Sequence, residues 1–164
     1  MIFKSKKHNS KFYNILLSLS RNIFFYKSIN LRDTYETRLY LIFFHFSIIL
    51  MVFKQKNIKF EQNIYDSLFL NIENNLRELG FGDVSVNKKM KDFNKVFYDI
   101  LLKFNISDKD FKVNNDLVFK YFNELNIPND ENISLFSSYF IKFYDFCFEL
   151  PVHNVIEDCE RFKY

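Results

Sequence analysis

The stretch Leu76–Lys91, LRELGFGDVSVNKKMK, decides how the chain is organised, because it holds both of its glycines, Gly80 and Gly82. Long apolar-periodic segments lie on either side. A glycine just after such a run is the usual end of a helix, since the residue past the end takes a positive φ. Asp83 and Ser85 then offer side-chain oxygens to the free N–H groups of a following helix. Lys88, Lys89 and Lys91 sit in that helix's opening turns, the end where the helix dipole disfavours cations. A reason other than helix stability is therefore expected for them, and the corner reads as a surface presented to a partner.

Working outward, the 164 residues suit one domain that buries about two-thirds of its unfolded surface. Two glycines, two prolines and no tryptophan, with phenylalanine and tyrosine making up a fifth of the chain, favour long helices on aromatic-rich seams. The expected fold is all-α: a single-domain bundle of about six helices around a central apolar one. The richness in Phe, Ile, Asn and Lys also has the look of genome-wide compositional bias, so single phenylalanines carry no functional weight.

Upstream of the corner, Phe60–Leu79 reads as a helix whose inward face holds Ile64, Leu68, Ile72, Leu76 and Leu79. Downstream, Val86–Phe104 carries the stripe Met90, Phe93, Phe97, Ile100, Leu101 and Phe104. Asp33-Thr34-Tyr35-Glu36 is a helix start, with Asp33 placed to cap and Glu36 three residues later. The helix it opens runs through Arg38 to about Lys54. Leu39–Phe53 is almost wholly apolar, but at 15 residues it falls short of the roughly 20 that cross a bilayer. It reads as the buried centre of the bundle, and His45 at mid-membrane would oppose the transmembrane alternative. His45 itself reads as a neutral core histidine bonded to a carbonyl or hydroxyl.

Phe12–Tyr26 carries apolar residues at helical spacing and is basic, so a packed helix competes with a membrane-surface one; packing is the preferred reading. Asn105–Asn115 is polar and irregular. Asp116–Leu125 and Asp130–Leu150 are expected helices bounded by Pro128 and Pro151, the second capped near Asn129 or Asp130. No strand pattern stands out. The domain division is a flexible basic N-terminus (1–11), a helical domain (12–150) and a C-terminal tail (151–164).

The net charge of +3 is uneven. Residues 1–32 hold seven basic side chains and no acid, while the rest holds 16 basic and all 20 acidic ones. An acid-free basic head suits an anionic partner: lipid headgroups, RNA or an acidic protein. Cys147 and Cys159 make no disulfide framework, and residues 1–20 show no small-residue cleavage site, so a reducing compartment is expected. Enzyme signatures are missing. Gly80-Phe81-Gly82 lacks the third glycine of a dinucleotide fingerprint, no nucleophile elbow occurs, and Cys147, His153 and Cys159 fit no common zinc spacing. The chemistry that remains is surface recognition, without catalysis, metal or cofactor.

Three linked motifs then resemble one family. Leu76-Arg77-Glu78-Leu79-Gly80-Phe81-Gly82-Asp83, followed by Val86, Lys88, Lys89 and Phe97-Tyr98, is similar to the signature of the ubiquinol–cytochrome c chaperone family. Asp33-Thr34 with Arg38 and His45 resembles its second motif, and Ser20-Arg21 with Phe25-Tyr26 the segment before it. Thr37, Asn87 and Asp99 stand where the family pattern has glycine. The likeness covers roughly Phe12–Phe104. It implies an all-helical, non-enzymatic assembly chaperone for the cytochrome bc1 complex, with newly made cytochrome b as client. It further implies a small co-chaperone and the ribosome as partners, peripheral membrane contact, and no DNA. A bacterial-type member would act at the cytoplasmic face of the inner membrane, a eukaryotic one in the mitochondrial matrix. The contact set expected on this basis is Asp33, Thr34, Arg38, Arg77, Glu78, Asp83, Lys88, Lys89 and Lys91, shaped by Gly80 and Gly82. The competing reading is an RNA- or membrane-surface-binding helical module acting through the basic N-terminal helix.

Overall fold

The computed structural model describes residues 10–104, 106–107 and 110–164, with Ser10, Ile106 and Ser107 as backbone only. The flexible N-terminus expected over 1–11 lies outside them except for Ser10 and Lys11, which open the first helix. In chain order the helices are α1 (Ser10–Ser20), α2 (Tyr35–Gln55), α3 (Gln62–Glu78), α4 (Asp83–Lys103), α5 (Asn115–Tyr121), α6 (Asn132–Glu149) and α7 (Val155–Asp158). Between α4 and α5 a small antiparallel ribbon pairs β1 (Ile106–Ser107) with β2 (Asp110–Phe111), in a region the sequence left irregular.

α2 is the axis. Every residue from Leu41 to Ile49 is buried, because an apolar helix without a polar face must be covered on all sides. Consecutive side chains turn about 100° and so meet different partners. Phe43 packs on Phe69 and Phe97, Phe44 on Phe104, Phe122, Phe136 and Phe140, and Phe46 on Phe12, Phe60, Tyr65 and Phe97. α1, α4 and α6 lie along α2, and α3 lies against α1 and α4. The helix is 21 residues long, enough to span a bilayer by length and composition. The length argument against a transmembrane helix therefore does not hold, and the case for a core helix is its burial by the protein itself.

Several helices differ from their expected bounds. α4 begins at Asp83 instead of Val86, and α5 ends at Tyr121, with Asn123–Leu125 as a separate 3-10 turn. α6 begins at Asn132, with Glu131, not Asn129 or Asp130, in the cap position and no side-chain cap bond from it. α1 and α2 differ as well. The first stops at Ser20 instead of running to Tyr26, and a separate π-helical turn covers Phe24–Ser28. The break is stabilised locally: the Asn22 side chain accepts from the Phe24 N–H at 3.0 Å, and the Tyr26 hydroxyl donates to the Ser20 carbonyl at 2.7 Å. α2 starts one residue later than a cap at Asp33 would place it. Thr34 is the cap, its Oγ1 accepting from the Thr37 N–H at 3.2 Å. In a chain with two glycines, asparagine takes the left-handed positions elsewhere. Asn57 (φ 56°) closes α2, where the Ile58 N–H reaches the Phe53 carbonyl. Residues 151–164 fold back on the bundle, burying Val155, Cys159 and Phe162, with Lys11 of α1 paired to Glu157 at 3.4 Å.

Candidate docking surface

The α3–α4 corner is built by a helix end that only one glycine makes possible. Leu79 closes α3, and Gly80 follows at φ +96°. The Phe81 N–H then bonds the Leu76 carbonyl at 3.3 Å and the Gly80 N–H bonds that of Arg77 at 3.0 Å, the two bonds of a Schellman end. Gly82 is different. It precedes α4 in extended conformation (φ −73°, ψ 166°), which any residue adopts, and a Cβ there would meet open space. Gly80→Ala is thus expected to destabilise by about 1–2 kcal/mol. Gly82→Ser should be neutral or stabilising by a few tenths of a kcal/mol through a new cap. Urea unfolding of the two variants checks this, and equal losses would contradict it.

Asp83 does not cap α4, and α4 has no side-chain cap. Asp83 is the helix's first residue, and its carboxylate pairs with Arg77, which also holds Glu73 at 3.3 Å. The Arg77 side chain thus ties the end of α3 to the start of α4 across the turn. Arg38 is likewise engaged, its Nη2 2.6 Å and its Nε 2.7 Å from Asp33 Oδ1. Of the expected contact set, Asp33, Arg38, Arg77 and Asp83 are therefore paired within the molecule, and Thr34 is a cap. Their pairing leaves them solvent-facing, Asp83 being 84% exposed. Glu78, Lys88, Lys89 and Lys91 make no salt bridge among the described residues. Lys89 Nζ stands 4.7 Å above the Phe81 ring.

The corner also carries apolar surface. Leu79, expected to face inward, is 57% exposed, and Phe81 and Val84 are exposed beside it. The Schellman turn swings the chain out just where the α3 stripe would have brought Leu79 in. Apolar side chains in the open, flanked by three lysines, are what a protein-docking surface needs.

A cleft of about 220 Å³ runs beside the corner, lined by residues of α1, α2 and α3. Three helical rows supply it: Tyr13, Leu17 and Arg21; Tyr35, Arg38, Leu39 and Ile42; and Asn75 with Leu79. The Asp33–Arg38 and Leu76–Asp83 motifs are thereby brought to one side of the molecule, together with Arg21. Sequence reasoning gave no site role to Tyr13, Tyr35 and Asn75. Their spacing of three and four residues to Leu17, Arg38 and Leu79 was the available signal. Burial raises the Tyr13 hydroxyl pKa; the nearby Arg21 opposes that and Glu78 adds to it, Arg21 being the stronger of the two.

The remaining polar groups of the matched motifs are structural. His45 is buried, with Nδ1 2.6 Å from the Leu41 carbonyl and Nε2 2.8 Å from the Tyr139 hydroxyl, as its neutral-core reading required. Asp99 joins α4 to α5, accepting from Lys103 at 2.8 Å, Lys120 at 2.7 Å and the Tyr121 hydroxyl. Partial burial works against its charge, but those hydrogen bonds prevail and hold the carboxyl well below the usual carboxylate range. Among the described residues, no group of three histidine, cysteine, aspartate or glutamate side chains could hold a metal ion.

The molecule is an all-α, single-domain bundle with a lysine-flanked helix corner on its surface. The family model for the ubiquinol-cytochrome C chaperone matches residues 27–110, just over half of the chain, from the π-helical turn before α2 through the corner and α4 to the first residue of β2. The chain therefore belongs to the ubiquinol–cytochrome c chaperone family, a family tied to the cytochrome bc1 complex. No curated protein and no solved structure matches it.

Proposed function

We propose that this protein is a non-enzymatic assembly chaperone that binds newly made cytochrome b and promotes assembly of the cytochrome bc1 complex. The observation that carries the reading is the α3–α4 corner, which lies inside the family match. It presents Leu79, Phe81 and Val84 together with Lys88, Lys89 and Lys91, none of the lysines being held in a salt bridge among the described residues. Emerging membrane-protein segments offer apolar side chains, and the cations favour anionic groups beside them or the lipid surface they enter. On this reading the protein works at the cytoplasmic face of the inner membrane, or in the mitochondrial matrix of a eukaryote. A small co-chaperone and the ribosome are the expected further partners.

Co-purification from respiring cells tests the assignment: cytochrome b should be recovered with the tagged chain before other bc1 subunits have joined. Recovery of RNA or of anionic lipid alone, with no cytochrome b, would favour the basic-head module instead. Deleting residues 1–11 and measuring salt-dependent binding to RNA and to anionic vesicles separates these outcomes, because phosphate-driven binding falls steeply as salt rises.

A further inference from the structure

The cleft between α1, α2 and α3 has a feature the corner lacks: a lining that joins the buried Leu39 and Ile42 with two arginines. Leu17, Leu39 and Ile42 form the floor, and Arg21 and Arg38 stand among the residues that line it. Arg21 is exposed and makes no salt bridge among the described residues. Arg38 places Nε and Nη2 on Asp33, and its side chain also acts on the Tyr26 hydroxyl. Three acids are near: Asp33, Glu36 and Glu78. Glu36 acts on Tyr35 in the lining, while at Tyr13 Arg21 acts more strongly than Glu78, and Arg21 has no ion pair among the described residues to offset its charge. The site therefore suits a group that is apolar at one end and anionic at the other.

Size narrows the class. A 150 Å³ cavity takes a benzene ring, so about 220 Å³ takes one large apolar side chain and a carboxylate. A phospholipid tail, reaching about 15 Å to the middle of a roughly 30 Å hydrocarbon core, is too long for it. A nucleic-acid phosphate would satisfy the arginines and leave the apolar floor uncovered. In an extended chain an acidic side chain points to the face opposite its immediate neighbour. An apolar side chain on its own face lies two residues away, which spreads the pair along the surface. At a chain end, the terminal carboxylate and the last side chain share one Cα and fit the same small cleft.

We propose that this cleft binds the C-terminal end of a protein chain whose last residue is large and apolar, with the side chain on Leu17, Leu39 and Ile42 and the carboxylate between Arg21 and Arg38. The inference rests on this side of the molecule being a protein-docking surface, and not on which protein docks there. Charge-assisted hydrogen bonds and bidentate geometry make arginine suited to the carboxylate, while the floor selects the side chain.

The test uses the full chain and a fluorescein-labelled glycine–serine peptide ending in phenylalanine with a free carboxylate, followed by fluorescence anisotropy. Binding should saturate. Amidating the peptide's C-terminus, or replacing its phenylalanine by serine, should each weaken it at least tenfold. Arg21→Gln should do the same with an unchanged melting temperature, whereas Lys112→Gln, an equal loss of charge elsewhere on the surface, should bind as the parent does. Absence of saturation, equal affinity for the amidated peptide, or parental affinity in Arg21→Gln would each overturn the proposal. So would binding to phosphatidylglycerol vesicles that Arg21→Gln abolishes while the peptide fails to bind. If the peptide binds through Arg21 but cytochrome b does not co-purify, the cleft assignment stands and the client assignment falls.

Discussion

Lowering the pH from 6.5 to 5 is expected to remove about 2 kcal/mol of folding stability through His45 alone. The carbonyl of Leu41 can only accept, so the Nδ1 at 2.6 Å carries the proton, and Nε2 accepts from the Tyr139 hydroxyl at 2.8 Å. The ring is neutral and has no room for a charge. Burial pushes its pKa down to about 3, and the bond to the Leu41 carbonyl opposes this without overcoming it. The unfolded ring titrates near 6.5. Between those two values the unfolded chain binds the extra proton and the folded chain does not. Stability is therefore complete above pH 6.5 and declines by about 1.4 kcal/mol per pH unit as the pH falls towards 3. Asp99, also held low, adds its own loss only below the ordinary carboxylate range near 4, so the window from 6.5 to 5 isolates the histidine. Urea midpoints of the parent and of His45→Gln across this window provide the measurement. The parent should lose stability steeply; the variant, weaker throughout, should be nearly flat. Parallel slopes would show that His45 is not the group responsible. Tyr139→Phe separates the hydrogen bond from the titration: it leaves Nε2 without a donor and should cost about 1–3 kcal/mol at neutral pH.

The double reversal Lys88→Glu with Lys89→Glu should weaken client binding tenfold or more, an effect of about 1.4 kcal/mol, and lower the amount of assembled bc1 complex accordingly. Its effect on folding should be small. Neither lysine is in a salt bridge among the described residues, and the interaction Lys89 forfeits is its contact with the Phe81 ring, worth about 0.5–1 kcal/mol at an exposed site. Because α4 begins at Asp83, both lysines lie beyond its first turn, where the helix dipole has little effect on the charge they carry. Native-gel quantitation of the complex in respiring cells, set beside the melting curve of the purified variant, distinguishes a contact role from a folding defect. Assembly that falls only in step with unfolding would remove the lysines from the docking surface, as would unimpaired assembly.

The same corner shows where reading residues in order stops being informative. That Gly80 ends a helix follows from the apolar run before it, because the Schellman bonds join residues three and five apart. That Asp83 would cap α4 followed from the same local logic and did not occur, because Arg77, six residues away across the turn, holds that carboxylate. The first motif behaves alike: Thr34 caps and Asp33 joins Arg38, since either side chain could reach the helix end and the nearby guanidinium favours the carboxylate. Leu79 kept the helical spacing of its stripe, yet it projects outward, because the turn ends the helix just where the stripe would have continued inward.

Local order along the chain was enough for the helices, for α2 as the buried axis and for His45 as a neutral core residue. Periodicity, caps and unbroken apolar runs act within about a turn and need no knowledge of neighbours. Tertiary structure alone decided that the start of α2, the end of α1 and the end of α3 meet around one cleft, and that the last 14 residues pack back on the bundle. It also decided which charges are paired and which lysines stay open. Those outcomes depend on distances between elements, and a side chain's spacing along its own helix says which face it occupies without saying what that face will meet.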